Sequence, residues 1–122
     1  MQKVFKNNAD GKLEFKQLLI YSCEQLEDEE RNPGSSLWSK ASIEWLENDE
    51  NLEKLWEWFN SEEYENLCKD WYNNCGVSKE ISGLGLWKVD FVAESGSMII
   101  SDENRKLEYW LWMVPDWNNY ND

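Results

Sequence analysis

Three glutamates, Glu50, Glu53 and Glu57, recur at three- and four-residue spacing in a chain that contains no histidine. On a helix that spacing puts the carboxylates on one face, about 5–6 Å apart. Such a row presents negative charge at a spacing comparable with that of phosphates along a nucleic-acid strand. The missing histidine removes the usual base for a Ser or Cys nucleophile and most zinc sites. Carboxylate pairs still suit glycoside hydrolysis or Mg²⁺-dependent phosphodiester cleavage, and Lys88, Asp90 and Glu94 form the nearest cluster of that type. With 25 carboxylates in 122 residues, however, such neighbours arise by chance. The residues favour binding over catalysis: no enzyme, no cofactor and no metal are expected.

The charge is regional. Residues 24–65 hold 14 acidic residues against Arg31, Lys40 and Lys54, a net −11 out of the chain's −13. Glu44 and Glu47 precede the Glu50, Glu53 and Glu57 row. The run Glu27–Glu30 and the trio Glu62, Glu63 and Glu65 flank it. Such a surface steers a basic protein partner in a salt-sensitive way, whereas nucleic acid itself is repelled. The plainer reading of the same residues is a solvated face that keeps the protein soluble.

Nine tryptophans accompany this charge. Trp38, Trp45, Trp56, Trp71 and Trp87 fall on apolar stripes and read as core. Trp58 falls between the apolar stripe and the Glu50/Glu53/Glu57 stripe of one helix. Trp110 and Trp112 share a strand face that a one-sided sheet leaves to solvent, and Trp117 lies near the end of the sequence. These four are candidate anchors, since tryptophan dominates interface hot spots. The competing reading is that the N-terminal segment covers Trp110 and Trp112. The candidate partner-binding set is therefore Glu44, Glu47, Glu50, Glu53, Glu57, Trp58, Trp110 and Trp112.

The elements that position these residues follow from periodicity. Phe15, Leu18, Leu19, Ser22 and Leu26 predict a helix over 12–30, stopped by Asn32-Pro33-Gly34. Ser35 or Ser36 is expected to cap a second helix with Trp38, Ala41 and Trp45 on its apolar face. A third spans about 49–59 and buries Leu52, Leu55, Trp56 and Phe59. Ser61 caps a fourth, whose stripe of Tyr64, Leu67, Cys68, Trp71 and Cys75 runs to Gly76. The period then shifts to two. Leu86–Glu94, 97–101 and Leu107–Val114 read as strands, with Ile81–Gly85 a loop and 115–122 a polar tail. The expected fold is α+β in a single domain over 1–122: an acidic helical region over 12–75, then a three-stranded antiparallel meander over 86–114.

Three cysteines without a C-x-x-C pair predict reduced thiols in the core. Cys68 and Cys75 on one helix would lie roughly 10 Å apart, beyond disulfide reach. No leader or spanning segment is read, so a cytoplasmic protein with no membrane contact is expected.

The segment Phe5–Leu18 resembles an EF-hand loop and the start of its exiting helix, with Asn8, Asp10, Gly11 and Leu13 at matching positions. Lys6 stands where the first carboxylate ligand belongs and Gln17 replaces the closing glutamate. A turn into a helix accounts for the same residues. In size, charge and missing catalytic groups the chain is similar to phage anti-defence proteins, including anti-CRISPR proteins and DNA mimics. This implies an inhibitor that occludes a basic nucleic-acid enzyme. An immunity protein or antitoxin against a nuclease toxin, a carbohydrate-binding module and a homodimeric acidic accessory subunit are the alternatives.

Overall fold

The computed structural model describes residues 5–113. Val114, Pro115 and the 115–122 tail with Trp117 lie outside the described residues. The order is α1 (Ala9–Gln25), α2 (Ser35–Glu47), α3 (Asp49–Phe59), α4 (Glu62–Lys69), α5 (Trp71–Asn74), then β1 (Val77–Ile81), β2 (Gly85–Val92), β3 (Ser97–Asp102) and β4 (Leu107–Trp112). The strands form one antiparallel sheet in sequence order. The α+β class is as expected. The meander has four strands instead of three, and the fourth helix is interrupted.

α1 begins earlier and ends earlier than periodicity implied. Asn8 caps it, its Oδ1 accepting from the Gly11 amide at 3.0 Å. The calcium-loop likeness therefore dissolves into a capped helix start. Gly11 is packed so tightly that a Cβ there would sit 1.7 Å from the Lys6 carbonyl oxygen. The buried stripe is Gly11, Phe15, Leu19 and Cys23, an i, i+4 series, and Leu18 lies outside it. That close approach brings Phe5 back onto the core, within 5.7 Å of Phe15 and 5.0 Å of Trp112 between ring centroids.

α2 is capped in an unexpected way. Its N-cap is Gly34 in the left-handed region (φ 94°), and neither Ser35 nor Ser36 caps it. Instead Glu29 reaches from the acidic run, accepting from the Ser36 amide at 2.6 Å and the Gly34 amide at 3.1 Å. A carboxylate at a helix N-terminus meets unpaired N–H groups and the positive end of the dipole. Those bonds, Ser36's first, lower the Glu29 carboxyl to about 2. α2 buries Ser39, Ser42 and Leu46, so small side chains let it approach the sheet closely.

Asn48 caps α3 through the Asn51 amide and Ser61 caps α4 through the Tyr64 amide, as the spacing implied for α4. α4 stops at Asp70, which accepts from the Asn73 side chain at 2.8 Å. The short α5 that follows leaves Cys75 exposed, not in the core.

Alternation in the sheet puts Trp87, Val89 and Phe91 of β2, Met98 and Ile100 of β3, and Leu107, Tyr109 and Leu111 of β4 on the buried face. Trp45 of α2 packs there, 5.6 Å from Trp87 and 5.4 Å from Tyr109. Side chains engage part of the free edge of β4. The Ser42 hydroxyl accepts from the Glu108 amide at 3.0 Å, and the Tyr64 hydroxyl donates to the Trp112 carbonyl. The opposite edge, β1, carries exposed Ser78, Lys79 and Glu80. Among the described residues no helix is long and apolar enough to cross a membrane.

Candidate functional site

Two helices build an acidic surface that spans both of them. α1 turns its buried stripe toward the core, which leaves Ile20 and Glu24 beside α2, with Glu27 just past the helix end. α2 buries Ser39, Ser42 and Leu46 and leaves Lys40, Glu44 and Glu47 on the side that meets them. The result is a groove of about 500 Å³ walled by Glu24, Glu27, Glu44 and Glu47, with Ile20 and Ile43 half-buried. Lys40 is its one lining cation. Among the described residues none of the four glutamates has an ion-pair partner. Glu24 and Glu27 join the candidate set here. Their distance in sequence from Glu44 hid the pairing, and only the antiparallel packing of α1 on α2 reveals it.

Exposed Glu47, Asp49 and Glu50 carry the acidic run across the Asn48 corner into α3. There the expected row is broken by lysines. Glu50 accepts from Lys54 at 2.9 Å, an i, i+4 pair, and that hydrogen bond lowers its carboxyl below the ordinary range. Glu53 meets Lys12 of α1 at 2.6 Å. Only Glu57 of the three has no ion-pair partner among the described residues. The row is thus partly an internal charge network, and its exposed pairs contribute little stability.

Trp58 corrects the sequence expectation most sharply. Read as a surface ring, it is 4% exposed. The chain turns at Ser61 and lays Tyr64 against it, the ring centroids 4.9 Å apart and edge-on. A wheel drawn for α3 alone cannot see this second layer. The Trp58 indole Nε1 is the one buried side-chain nitrogen or oxygen without a hydrogen-bond partner among the described residues. The ring helps to line a cleft at the α3–α4 corner.

On the outer sheet face Trp110 and Trp112 fare differently. Trp112 packs partly against the core, near Phe5, Phe15 and Phe59, so the N-terminal segment does cover it. Trp110 stays half-exposed, its Nε1 donating to Glu108 at 2.8 Å, opposite Ile99 of β3. Leu86 (61% exposed) and half-buried Val92 and Ile99 share that face. The Lys88, Asp90 and Glu94 cluster does not assemble on one strand: Lys88 and Asp90 lie 3.8 Å apart on β2, and Glu94 sits in the turn beyond its end.

The fold and geometry define an α+β protein with one acidic helical side and one mildly apolar sheet face. Comparison with protein-family models, with curated protein sequences and with solved structures finds no match to this chain.

Proposed function

We propose that this is a small acidic binding protein that inhibits a basic nucleic-acid enzyme by occupying its nucleic-acid groove. It would act in the cytoplasm of the host cell, in the manner of phage anti-defence proteins such as DNA mimics and anti-CRISPR proteins. The observation that carries the reading is the α1–α2 groove, where Glu24, Glu27, Glu44 and Glu47 have no ion-pair partner among the described residues and Lys40 is the one cation against four carboxylates. Carboxylates held by two packed helices meet a basic surface with little reordering, and their field steers it in a salt-dependent way. Exposed Asp49 follows Glu47 across the Asn48 corner, whereas Glu50 is paired with Lys54 and Glu57 lies at the far end of α3, so the reading rests on the groove. Nucleic acid is not a partner in this reading, and no catalysis is assigned.

Affinity capture from the native host at low and high salt, followed by an activity assay of the captured enzyme, tests it. The expected result is a basic nucleic-acid enzyme, inhibited at low salt and released by high salt. Glu44→Lys with Glu47→Lys weakens binding by roughly tenfold or more, about 1.4 kcal/mol. A partner retained at high salt and indifferent to that reversal would sink the reading.

A second reading has its own observation. The outer sheet face places Ile99 opposite Trp110, with Leu86 exposed and Val92 half-buried, among Lys88, Asp90 and Glu108 of the same face. Such a mixed face suits a homodimeric accessory subunit. Light scattering that finds a monomer at high micromolar concentration would dismiss it.

A further inference from the structure

We propose that the α1–α2 groove binds a linear aliphatic triamine, with its terminal ammoniums on the glutamates at the two ends and its central ammonium on the Ser39 hydroxyl. The inference goes beyond the protein-partner reading and does not depend on it.

Ser39 of α2 is the observation that points to a ligand. It is 3% exposed and lines the groove. On the helical wheel it falls between half-buried Ile43 of the groove and fully buried Leu46 of the core. A helical serine often turns its hydroxyl back to the carbonyl one turn before it, and a buried hydroxyl is ordinarily bonded. The other buried serine, Ser42, accepts from the Glu108 amide. The Ser39 hydroxyl has no hydrogen-bond partner among the described residues. It is not sealed off either, because among those residues only the Trp58 nitrogen is both unpartnered and closed to solvent. The access that the hydroxyl keeps opens into the groove that Ser39 lines.

The groove around it is long, and its charges sit at two ends. The Asp28 amide donates to the Ser35 hydroxyl at 2.7 Å and the Ser36 amide to Glu29 at 2.6 Å, so the end of α1 lies beside the first turn of α2. Glu24 and Glu27 therefore stand at that end. Glu44 and Glu47 lie roughly 12–16 Å along α2 from Ser36, at 1.5 Å rise per residue. Ile20, Ser39 and Ile43 fall between the two pairs. Among the described residues no three carboxylates or thiols converge to hold a metal ion, so these charges suit a long cation and not a compact one. Four carboxylates against Lys40 leave three negative charges in the groove. A triamine with three- and four-carbon arms carries three positive charges and spans about 11 Å when extended. Its methylenes can lie on Ile20 and Ile43 while every ammonium meets an oxygen. A whole helix, about 10–12 Å across, would rest on the rim and leave Ser39 unreached. The groove's volume, about 500 Å³, is that of a small-ligand site.

Calorimetric titration of the full chain with spermidine near physiological salt tests the proposal. One equivalent should bind. 1,8-Diaminooctane has the same length with a methylene in place of the central ammonium, and should bind roughly tenfold more weakly for want of one charge-assisted hydrogen bond. Ser39→Ala should weaken spermidine to a similar extent and leave the diamine unchanged. It removes a hydroxyl that makes no bond in the fold and places a better helix former there, so the structure is kept. Glu24→Gln with Glu44→Gln, one exposed glutamate from each end, should weaken both amines. Glu50→Gln with Glu57→Gln, outside the groove, should alter neither. Equal affinity for the two amines, no effect of Ser39→Ala, several weak equivalents or no binding would each overturn the proposal. No protein partner is present in this titration, so its failure leaves the inhibitor reading to stand or fall by its own capture experiment.

Discussion

The Tyr109 hydroxyl donates to the Ser42 carbonyl at 2.6 Å, and the Ser42 hydroxyl accepts from the Glu108 amide beside it, so one serine of α2 is tied to β4 twice. Both serine and tyrosine are fully buried. Tyr109→Phe removes one bond and keeps the ring, a loss of about 1 kcal/mol. Ser42→Ala strands the Glu108 amide and costs about 1–3 kcal/mol. Thermal unfolding should show Ser42→Ala as the larger drop, with a fall of roughly 4 °C for Tyr109→Phe. Equal and negligible shifts would mean that α2 and β4 are not coupled through this serine.

Gly11 is a second point without slack. Alanine there would collide with the Lys6 carbonyl and push away the segment that seats Phe5. Overpacking of this type costs about 1–3 kcal/mol. Gly11→Ala should lower the denaturation midpoint and raise hydrogen exchange near Phe15, Phe59 and Trp112, against which Phe5 packs. Unchanged exchange at those positions would contradict the packing argument.

The pH profile of stability has two named limbs. Glu29 is depressed from 4.5 to about 2, so its contribution is complete above pH 4.5 and disappears as pH falls toward 2. Glu29→Gln should flatten that acid limb in a Tm-against-pH series. At the alkaline end, burial raises the Tyr64 and Tyr109 hydroxyls above their ordinary 10.0. The unfolded chain then gives up these protons first, and stability falls as pH rises above 10. Tyr109→Phe should soften this limb and leave the acid one alone. A profile level between pH 5 and 2 in the native sequence would be inconsistent with the Glu29 cap.

The cysteines separate by exposure. Burial pushes the Cys23 thiol up to about 12, and Cys68 is also buried, whereas Cys75 is exposed. Thiolate availability controls reactivity. Titration with a disulfide reagent should count one fast thiol in the native protein and three after denaturation, the fast one absent in Cys75→Ser. Two fast thiols in the native state would show that α1 or α4 opens readily.

How far the sequence reached depends on whether a residue's environment is local. The bounds of α3 were readable because Asn48 and the apolar spacing of Leu52, Leu55, Trp56 and Phe59 lie within one element. β1 was not, because Val77–Ile81 is an edge strand with only Ile81 buried, so no alternation marks it. The break at Asp70 was hidden by a stripe from Tyr64 to Cys75 that also suits an unbroken helix. The candidate site shows the same division. The exposed carboxylates were visible residue by residue. Their grouping across α1 and α2, the lysines that occupy Glu50 and Glu53, and the layer over Trp58 all come from tertiary contacts.

The engaged edge of β4 bears on how copies of this chain can associate. Growth of a strand-by-strand polymer needs two open sides on every unit, one to be added and one to add the next. Here Ser42 and Tyr64 take up the Glu108 amide and the Trp112 carbonyl on one side, and β1 on the other is charged at Lys79 and Glu80. Among the described residues each edge thus carries a feature that works against end-to-end growth of the sheet, of a different kind on each side: occupied backbone groups on β4, exposed charge on β1.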